Sequence, residues 1–202
     1  MQSILGWTIF GYFCGSIPFA VIIGRYFGHR DPRSVGDGNP GGTNVWISAG
    51  WLIGLTATVI EILKGWFPVW LARADGVADS SLIPVLLAPI LGHATMPFLK
   101  FKGGKALGVT GGAWMGIIGL WVFPIYAAGA VPMLALQTEN AYAALAGMAA
   151  ITTYAFLFNG SAWIETFALL NTALIVWTHR RNLGRPFELR PWLANILAGK
   201  SA

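Results

Sequence analysis

Three segments of this chain carry residue types that handle phosphate and protons. The first is Gly36-Asp37-Gly38-Asn39-Pro40-Gly41-Gly42-Thr43-Asn44, in which five of nine residues are Gly or Pro. Glycine lets backbone N–H groups turn inward and approach an anion closely. Asn39, Thr43 and Asn44 add side-chain donors, and Arg25, Arg30 and Arg33 precede the run. A glycine-rich run alone is as readily a flexible turn between helices; the arginines tip the reading towards an anion cradle. If Thr43 or Asn44 caps the next helix, its positive end faces the loop too.

The second segment runs from Gly92-His93 to Lys100-Phe101-Lys102-Gly103-Gly104-Lys105. Gly103 and Gly104 again set backbone donors beside an ammonium. This is no nucleotide loop of the Walker type: Leu99 stands where that loop requires glycine, and Ala106 where it requires Ser or Thr. Lys100 and Lys102 read best as topology signals, and His93, alone on an apolar stretch, as a hydrogen-bonded structural residue. The third segment places His179, Asn182 and Arg185 three apart, on one face of a helical turn. Histidine, with an ordinary pKa of about 6.5, is the usual general base. A boundary histidine held among Arg180 and Arg181 is the competing reading, and this segment alone does not choose.

The elements that must position these segments follow from composition. The chain has 202 residues, 55% of them hydrophobic and 10% charged, with mean hydropathy +0.62. Soluble domains carry about 25% charged residues, so this chain cannot cover a water-facing surface. Disorder, collagen and coiled coil fail on the same numbers. The expectation is an all-α integral membrane protein, one polytopic domain over residues 1–202. Apolar stretches of spanning length are Ile4–Gly24, Val45–Ala72, Leu82–Leu99, Leu107–Leu136, Ala141–Phe158 and Ala162–Thr178. Pro124 is placed to split the fourth. Glu61 and Lys64 interrupt the second, three apart and able to pair on one face. Residues 1–24 carry no charge, so the basic region of a secretory signal is missing and this segment is expected to remain as a span. Cys14 has no cysteine to pair with and fills space in a helix.

Eleven of the thirteen Lys and Arg fall in three groups: Arg25, Arg30 and Arg33; Lys100, Lys102 and Lys105; and Arg180, Arg181, Arg185, Arg190 and Lys200. Such clusters mark cytoplasmic loops. The net charge of +5 is therefore a topology signal and predicts no nucleic-acid partner. The N-terminus and the Arg73–Ser81 loop, with Asp75 and Asp79, are expected outside. Parity between the second and third groups requires an even number of crossings, which gives seven spans if Leu107–Leu136 is two, or five. Seven is the preferred count.

Other chemistries are missing. There is no GxSxG nucleophile turn, no HExxH, no histidine with an aspartate five residues on, and no Cys/His cluster. No metal and no cofactor are expected. Glu139 and Glu165 are too isolated for a proton relay; Glu139 reads as an outer-loop residue, and Glu165, near a helix start, as structural or functional.

Taken together the segments resemble the bacterial acyl-phosphate:glycerol-3-phosphate acyltransferase family, the integral-membrane PlsY type. Gly15-Ser-Ile-Pro18 is similar to its GSIP. Asp31-Pro-Arg33 through Asn44 is similar to DxR-xx-GSGNxGATN, and Glu61-Ile-Leu-Lys64-Gly65 with Pro68-Val69 to DxxKGxxPV. Gly92-His93 with Phe101–Lys105 resembles GHxxP…FKGGKG, and His179, Asn182 and Arg185 resemble HxxNxxR. Five motifs in order cover nearly the whole chain. The resemblance implies a seven-span fold in a bacterial inner membrane with the motifs cytoplasmic. It implies acyl transfer from acyl phosphate to the 1-hydroxyl of glycerol 3-phosphate, beside membrane lipid; a monomer is expected. His179 would deprotonate or orient the hydroxyl. Gly36, Gly38, Asn39, Gly41, Gly42, Thr43, Asn44, Gly103, Gly104, Lys105, Asn182 and Arg185 would bind substrate.

Two departures bear on the acceptor. Asp37 replaces the family's serine, and Ile47 stands where the family has arginine. A carboxylate close to a bound phosphate repels it by on the order of 1–4 kcal/mol at surface-like dielectric. The readings are an altered, less charged acceptor, Asp37 as a base beside His179, or loss of activity. Gly42 within GATN and Glu61 within DxxKG are milder changes. A small transporter and a non-catalytic lipid-binding relative are the rival functions. A transporter places its ionisable groups near the midplane, and here most sit at span ends.

Overall fold

The computed structural model describes residues 4–198; Lys200 of the third basic group lies outside the described residues. Ten α-helices form the described chain: α1 Ile4–Ser16, α2 Phe19–Tyr26, α3 Gly42–Ala49, α4 Trp51–Ala74, α5 Leu82–Thr95, α6 Leu107–Ile118, α7 Val122–Leu136, α8 Asn140–Tyr154, α9 Ala162–Leu183 and α10 Pro191–Leu197. Among these residues there is no strand, only an isolated antiparallel bridge between Gln137 and Leu189. The backbone groups into two compact units, with the boundary between Leu120 and Trp121.

Among the described residues, five helical stretches are long and apolar enough to cross a bilayer: Ile4–Tyr26, Trp51–Ala74, Asp79–Leu99, Leu107–Leu136 and Asn140–Asn159. On α4 the apolar Leu52, Leu55, Val59, Leu63, Phe67 and Trp70 are exposed while Ala57, Glu61, Lys64, Gly65, Pro68 and Ala72 are buried. An apolar exposed face opposite a face of small and paired polar residues suits hydrocarbon, not water. The α9 helix, which carries Glu165, Asn171, Arg180 and Arg181, is not one of the five stretches. Glu165 sits in its first turn, where a carboxylate favours the positive end of the helix.

Several boundaries differ from expectation for identifiable reasons. The first span breaks between α1 and α2 at Pro18, which has no N–H to continue the ladder. The second begins at Trp51, not Val45, because Gly50 adopts φ +85° and turns the chain after α3. Leu107–Leu136 divides at Gly119 (φ +64°), while Pro124 sits harmlessly in the first turn of α7.

The break at Pro18 explains the buried charges of α4. Lys64 Nζ donates to the Ile17 carbonyl at 2.8 Å, and the Ala20 N–H donates to Glu61 Oε1 at 3.2 Å. The ammonium sits at the negative end of α1 and the carboxylate at the positive end of α2, as their dipoles favour. The two side chains pair with each other at 2.8 Å, as their spacing predicts, and His93 Nδ1 lies 2.9 Å from Glu61 Oε2. His93 is accordingly a buried structural partner.

Glycines set how closely the helices of this unit approach. A Cβ on Gly15 would lie 2.0 Å from the Pro89 carbonyl oxygen, and one on Gly112 would lie 1.9 Å from that of Ile62. Helix backbones in contact are the usual use of small residues in a membrane. Gly112→Ala must therefore push α4 and α6 apart. A loss of about 1–3 kcal/mol, typical of overpacking, is expected as a lower unfolding temperature in detergent; an unchanged midpoint would mean the interface is loose.

Candidate functional site

The Arg25–Asn44 segment folds around two aspartates. Asp31 opens the short turn Pro32–Ser34, accepting from the Arg33 N–H at 3.0 Å, and its carboxylate pairs with Arg25 at 2.7 Å and Arg33 at 2.8 Å. The Arg33 guanidinium beside it holds the Asp31 carboxyl well below the usual carboxylate range, and Asp31 in turn raises Arg33. Two of the three arginines expected to face an anion are thus tied to a carboxylate. Sequence reasoning did not weigh Asp31 as their partner, although DPR places an acceptor two residues from Arg33.

Gly36 (φ +59°) and Gly38 (φ +73°) turn the loop around Asp37. Asp37 Oδ1 accepts from the Asn39 N–H at 3.1 Å and from Asn44 Nδ2 at 3.1 Å, and Oδ2 lies 2.7 Å from Lys105 Nζ. Burial pulls the Asp37 carboxyl up, but the Lys105 ammonium and the two amide donors outweigh it and hold it below its ordinary value. Asn44 is buried in the first turn of α3 and also donates to the carbonyls of Val35 and Asn39 at 3.0 and 2.9 Å. Its amide braces the loop. Neither Thr43 nor Asn44 caps a spanning helix: α3 is a separate eight-residue helix with Gly41 at its cap. Thr43 is exposed, as is Ile47 on the same helix.

The Lys105–Asp37 pair brings the second segment to the first. Gly103 and Gly104 make that approach possible. A Cβ on Gly103 would strike the Ala94 carbonyl oxygen at 2.0 Å, and one on Gly104 would lie 2.3 Å from His93 Nε2 and 3.0 Å from Asn39 Oδ1. The Gly104 N–H donates to the His93 carbonyl at 3.0 Å, so Gly104 also holds this segment against α5. Lys100 and Lys102 are exposed, as topology signals should be. At the other end of this unit Trp7 Nε1 donates to Asp75 at 2.9 Å, placing the start of α1 beside the Asp75 loop.

In the second unit α8 and α9 pack together and return the chain, so that Glu139 at the start of α8 meets the end of α9. Glu139 accepts from Asn182 Nδ2 at 3.1 Å and from Arg185 at 3.0 Å. Tyr142 donates to the Arg185 carbonyl at 2.9 Å. Glu139 therefore belongs with the third basic segment. The signal for it was present as the lone charge in a polar break, Gln137–Asn140.

His179 is buried, on the same face of α9 as Asn182. Its Nδ1 lies 2.9 Å from the Ile175 carbonyl and 3.1 Å from Thr178 Oγ1. A carbonyl only accepts, so this contact assigns the ring proton to Nδ1 and the basic lone pair to Nε2. Arg185 is more exposed and lies past the helix end. Among the described residues no group of three or more His, Cys, Asp or Glu gathers as a metal site.

The comparisons with known proteins point one way. Residues 5–188 match the family model described as glycerol-3-phosphate acyltransferase. The chain is 36% identical over 183 residues to a glycerol-3-phosphate acyltransferase of Thermus thermophilus, covering 89% of each chain. It is 36% identical over 198 residues to that of Nitratidesulfovibrio vulgaris, covering 95% of this chain and 58% of the relative's length. A solved structure of PlsY, described as an integral membrane glycerol 3-phosphate acyltransferase in its glycerol 3-phosphate form, superposes with TM-score 0.78 at 27% identity. That match covers 100% of this chain and 95% of the other. The lysophosphatidic acid form matches with TM-score 0.77 at 25% identity over the same shares.

Proposed function

Because this chain belongs to the glycerol-3-phosphate acyltransferase family, we propose that it moves a fatty acyl group from acyl phosphate to the 1-hydroxyl of glycerol 3-phosphate. The products are lysophosphatidate and inorganic phosphate. The observation that carries this reading is the junction of the Gly36–Asn44 loop with Lys105, where an ammonium and amide donors already hold an oxyanion group. Lys105, Asn39, Gly36, Gly38, Gly41, Gly42 and Thr43 form the phosphate-binding loop in this reading, and Asn44 keeps its shape. Asn182 and Arg185 serve as further substrate contacts, oriented by Glu139.

An acyl phosphate is a mixed anhydride, so its carbonyl is activated and phosphate is a good leaving group. The acceptor oxygen bonds to the carbonyl carbon as the carbon–oxygen bond to phosphate breaks. The hydroxyl proton passes to His179 Nε2 or to the departing phosphate. Little covalent help is needed, and positioning and charge stabilisation supply most of the acceleration. Asp37, ionised beside Lys105, is available as a base but a weak one.

The same reading places the motif segments on the cytoplasmic side of a bacterial inner membrane, with the N-terminus outside. The pairing of the α1 start with Asp75 supports one outer end for both. The meeting of Glu139 with Asn182 supports two crossings, α8 and α9, between Gln137–Asn140 and the third basic group. In this reading Leu107–Leu136 makes two crossings, one on each side of the break at Gly119, as parity requires, for seven in all.

The experiment is direct. Purified protein in detergent micelles, given palmitoyl phosphate and glycerol 3-phosphate, is expected to release inorganic phosphate only when both are present, and to form no product from acyl-CoA. Folded protein without such turnover would remove this reading.

A further inference from the structure

The donors expected to hold substrate phosphate are already engaged by the protein's own anion. Asp37 presents one carboxylate oxygen to Lys105 Nζ at 2.7 Å and the other to the Asn39 N–H and Asn44 Nδ2, both at 3.1 Å. This is the arrangement a phosphoryl oxygen pair would take between the same groups. The side chain of Lys105 is 20% exposed and that of Asp37 is 32% exposed, so the pair borders solvent and opens without unfolding the core. Arg25 and Arg33 are spent on Asp31, and on α3 the exposed position 47 is an isoleucine.

We propose that Asp37 is a resident counter-anion that sets the charge of the ligand this loop accepts. With Asp37 in place the cradle is electrically neutral, and every further negative charge meets a carboxylate sharing the same donors. The loop therefore discriminates against a doubly charged phosphate monoester and favours a singly charged phosphate: a phosphodiester, or a monoester that keeps its proton, which Asp37 can accept in a hydrogen bond. Asp37 is a specificity-determining residue for the acceptor. This rests on the assignment of the loop to phosphate binding under the proposed function.

Two probes that differ by one methyl group and one charge test it: glycerol 3-phosphate and its methyl diester, each titrated at pH 8 against detergent-solubilised protein. Asp37→Asn keeps the acceptor that closes the turn on the Asn39 N–H while removing the charge; Asp37→Ser removes the charge and leaves a shorter, weaker hydroxyl acceptor for the same N–H. In either variant the affinity for glycerol 3-phosphate is expected to rise about tenfold, with the diester changing less than about threefold on the same argument. Equal changes for both probes, or no change for either, overturn the proposal. Turnover is measured on the same samples. A charge-selective shift without acyl transfer in any sample leaves the proposal standing and removes the acyl-transfer reading. Normal turnover with no shift removes the proposal alone.

Discussion

His179→Ala is expected to lower phosphate release from palmitoyl phosphate and glycerol 3-phosphate by about 10²- to 10⁴-fold, the usual contribution of a positioned general base. The Ile175 carbonyl fixes the ring through Nδ1 and leaves Nε2 as the basic atom. The loss should appear in kcat rather than in KM, because in the proposed reaction the imidazole acts on the hydroxyl proton and not on the phosphate. His179→Gln offers an amide of similar reach but no basic nitrogen, so it should be nearly as impaired. Both variants should unfold at the wild-type temperature to within a few degrees. A rate within threefold of wild type would place the proton on the substrate's own phosphate and reduce His179 to a packing residue.

Glu61→Ala is expected to destabilise the protein by about 3–5 kcal/mol, as removing one partner of a buried pair does. The reason is local. Its carboxylate is the partner of Lys64, which is itself 5% exposed, and of His93, and it holds the Ala20 N–H at the start of α2. Without it an ammonium and a backbone donor are left in a low-dielectric interior. Glu61→Gln keeps an acceptor for the amide but not the charge, and should fall between. Thermal unfolding in detergent, followed by tryptophan fluorescence, checks the order wild type, Gln, Ala. If Ala matches wild type, the break at Pro18 is held by something other than this pair.

Much of the candidate site stands out in the sequence. Glycine-rich runs, basic clusters and His179 with Asn182 and Arg185 stand out because each breaks an apolar background, and the five motifs in order identify the family. The Glu61–Lys64 pair was legible from helical spacing alone. Other features were not. Asp31 was read within a motif, and only the fold shows two arginines closing on it. Glu139 looked remote because the residues it meets, Asn182 and Arg185, lie more than forty positions away. Its contact depends on α8 and α9 folding back on each other, which no local pattern encodes. The donors of Asn44 and Gly104 were assigned to a ligand, yet the structure spends them on the loop and on His93, because a buried amide must find a partner whether or not substrate is bound.

By its own residues the chain determined its class and its family. An apolar sequence with few charges has to live in lipid, and the charges it keeps are gathered at helix ends or paired by helical spacing. Those are short-range consequences of composition and period, so a single strand of text carries them. Where helices break, and which distant groups then satisfy the freed backbone, was decided only by packing: Lys64 and Glu61 finding Ile17 and Ala20, and Lys105 finding Asp37. Such partners are chosen by the three-dimensional demand that each buried charge and each open hydrogen bond be answered. That demand acts across the fold and leaves no trace in sequence separation.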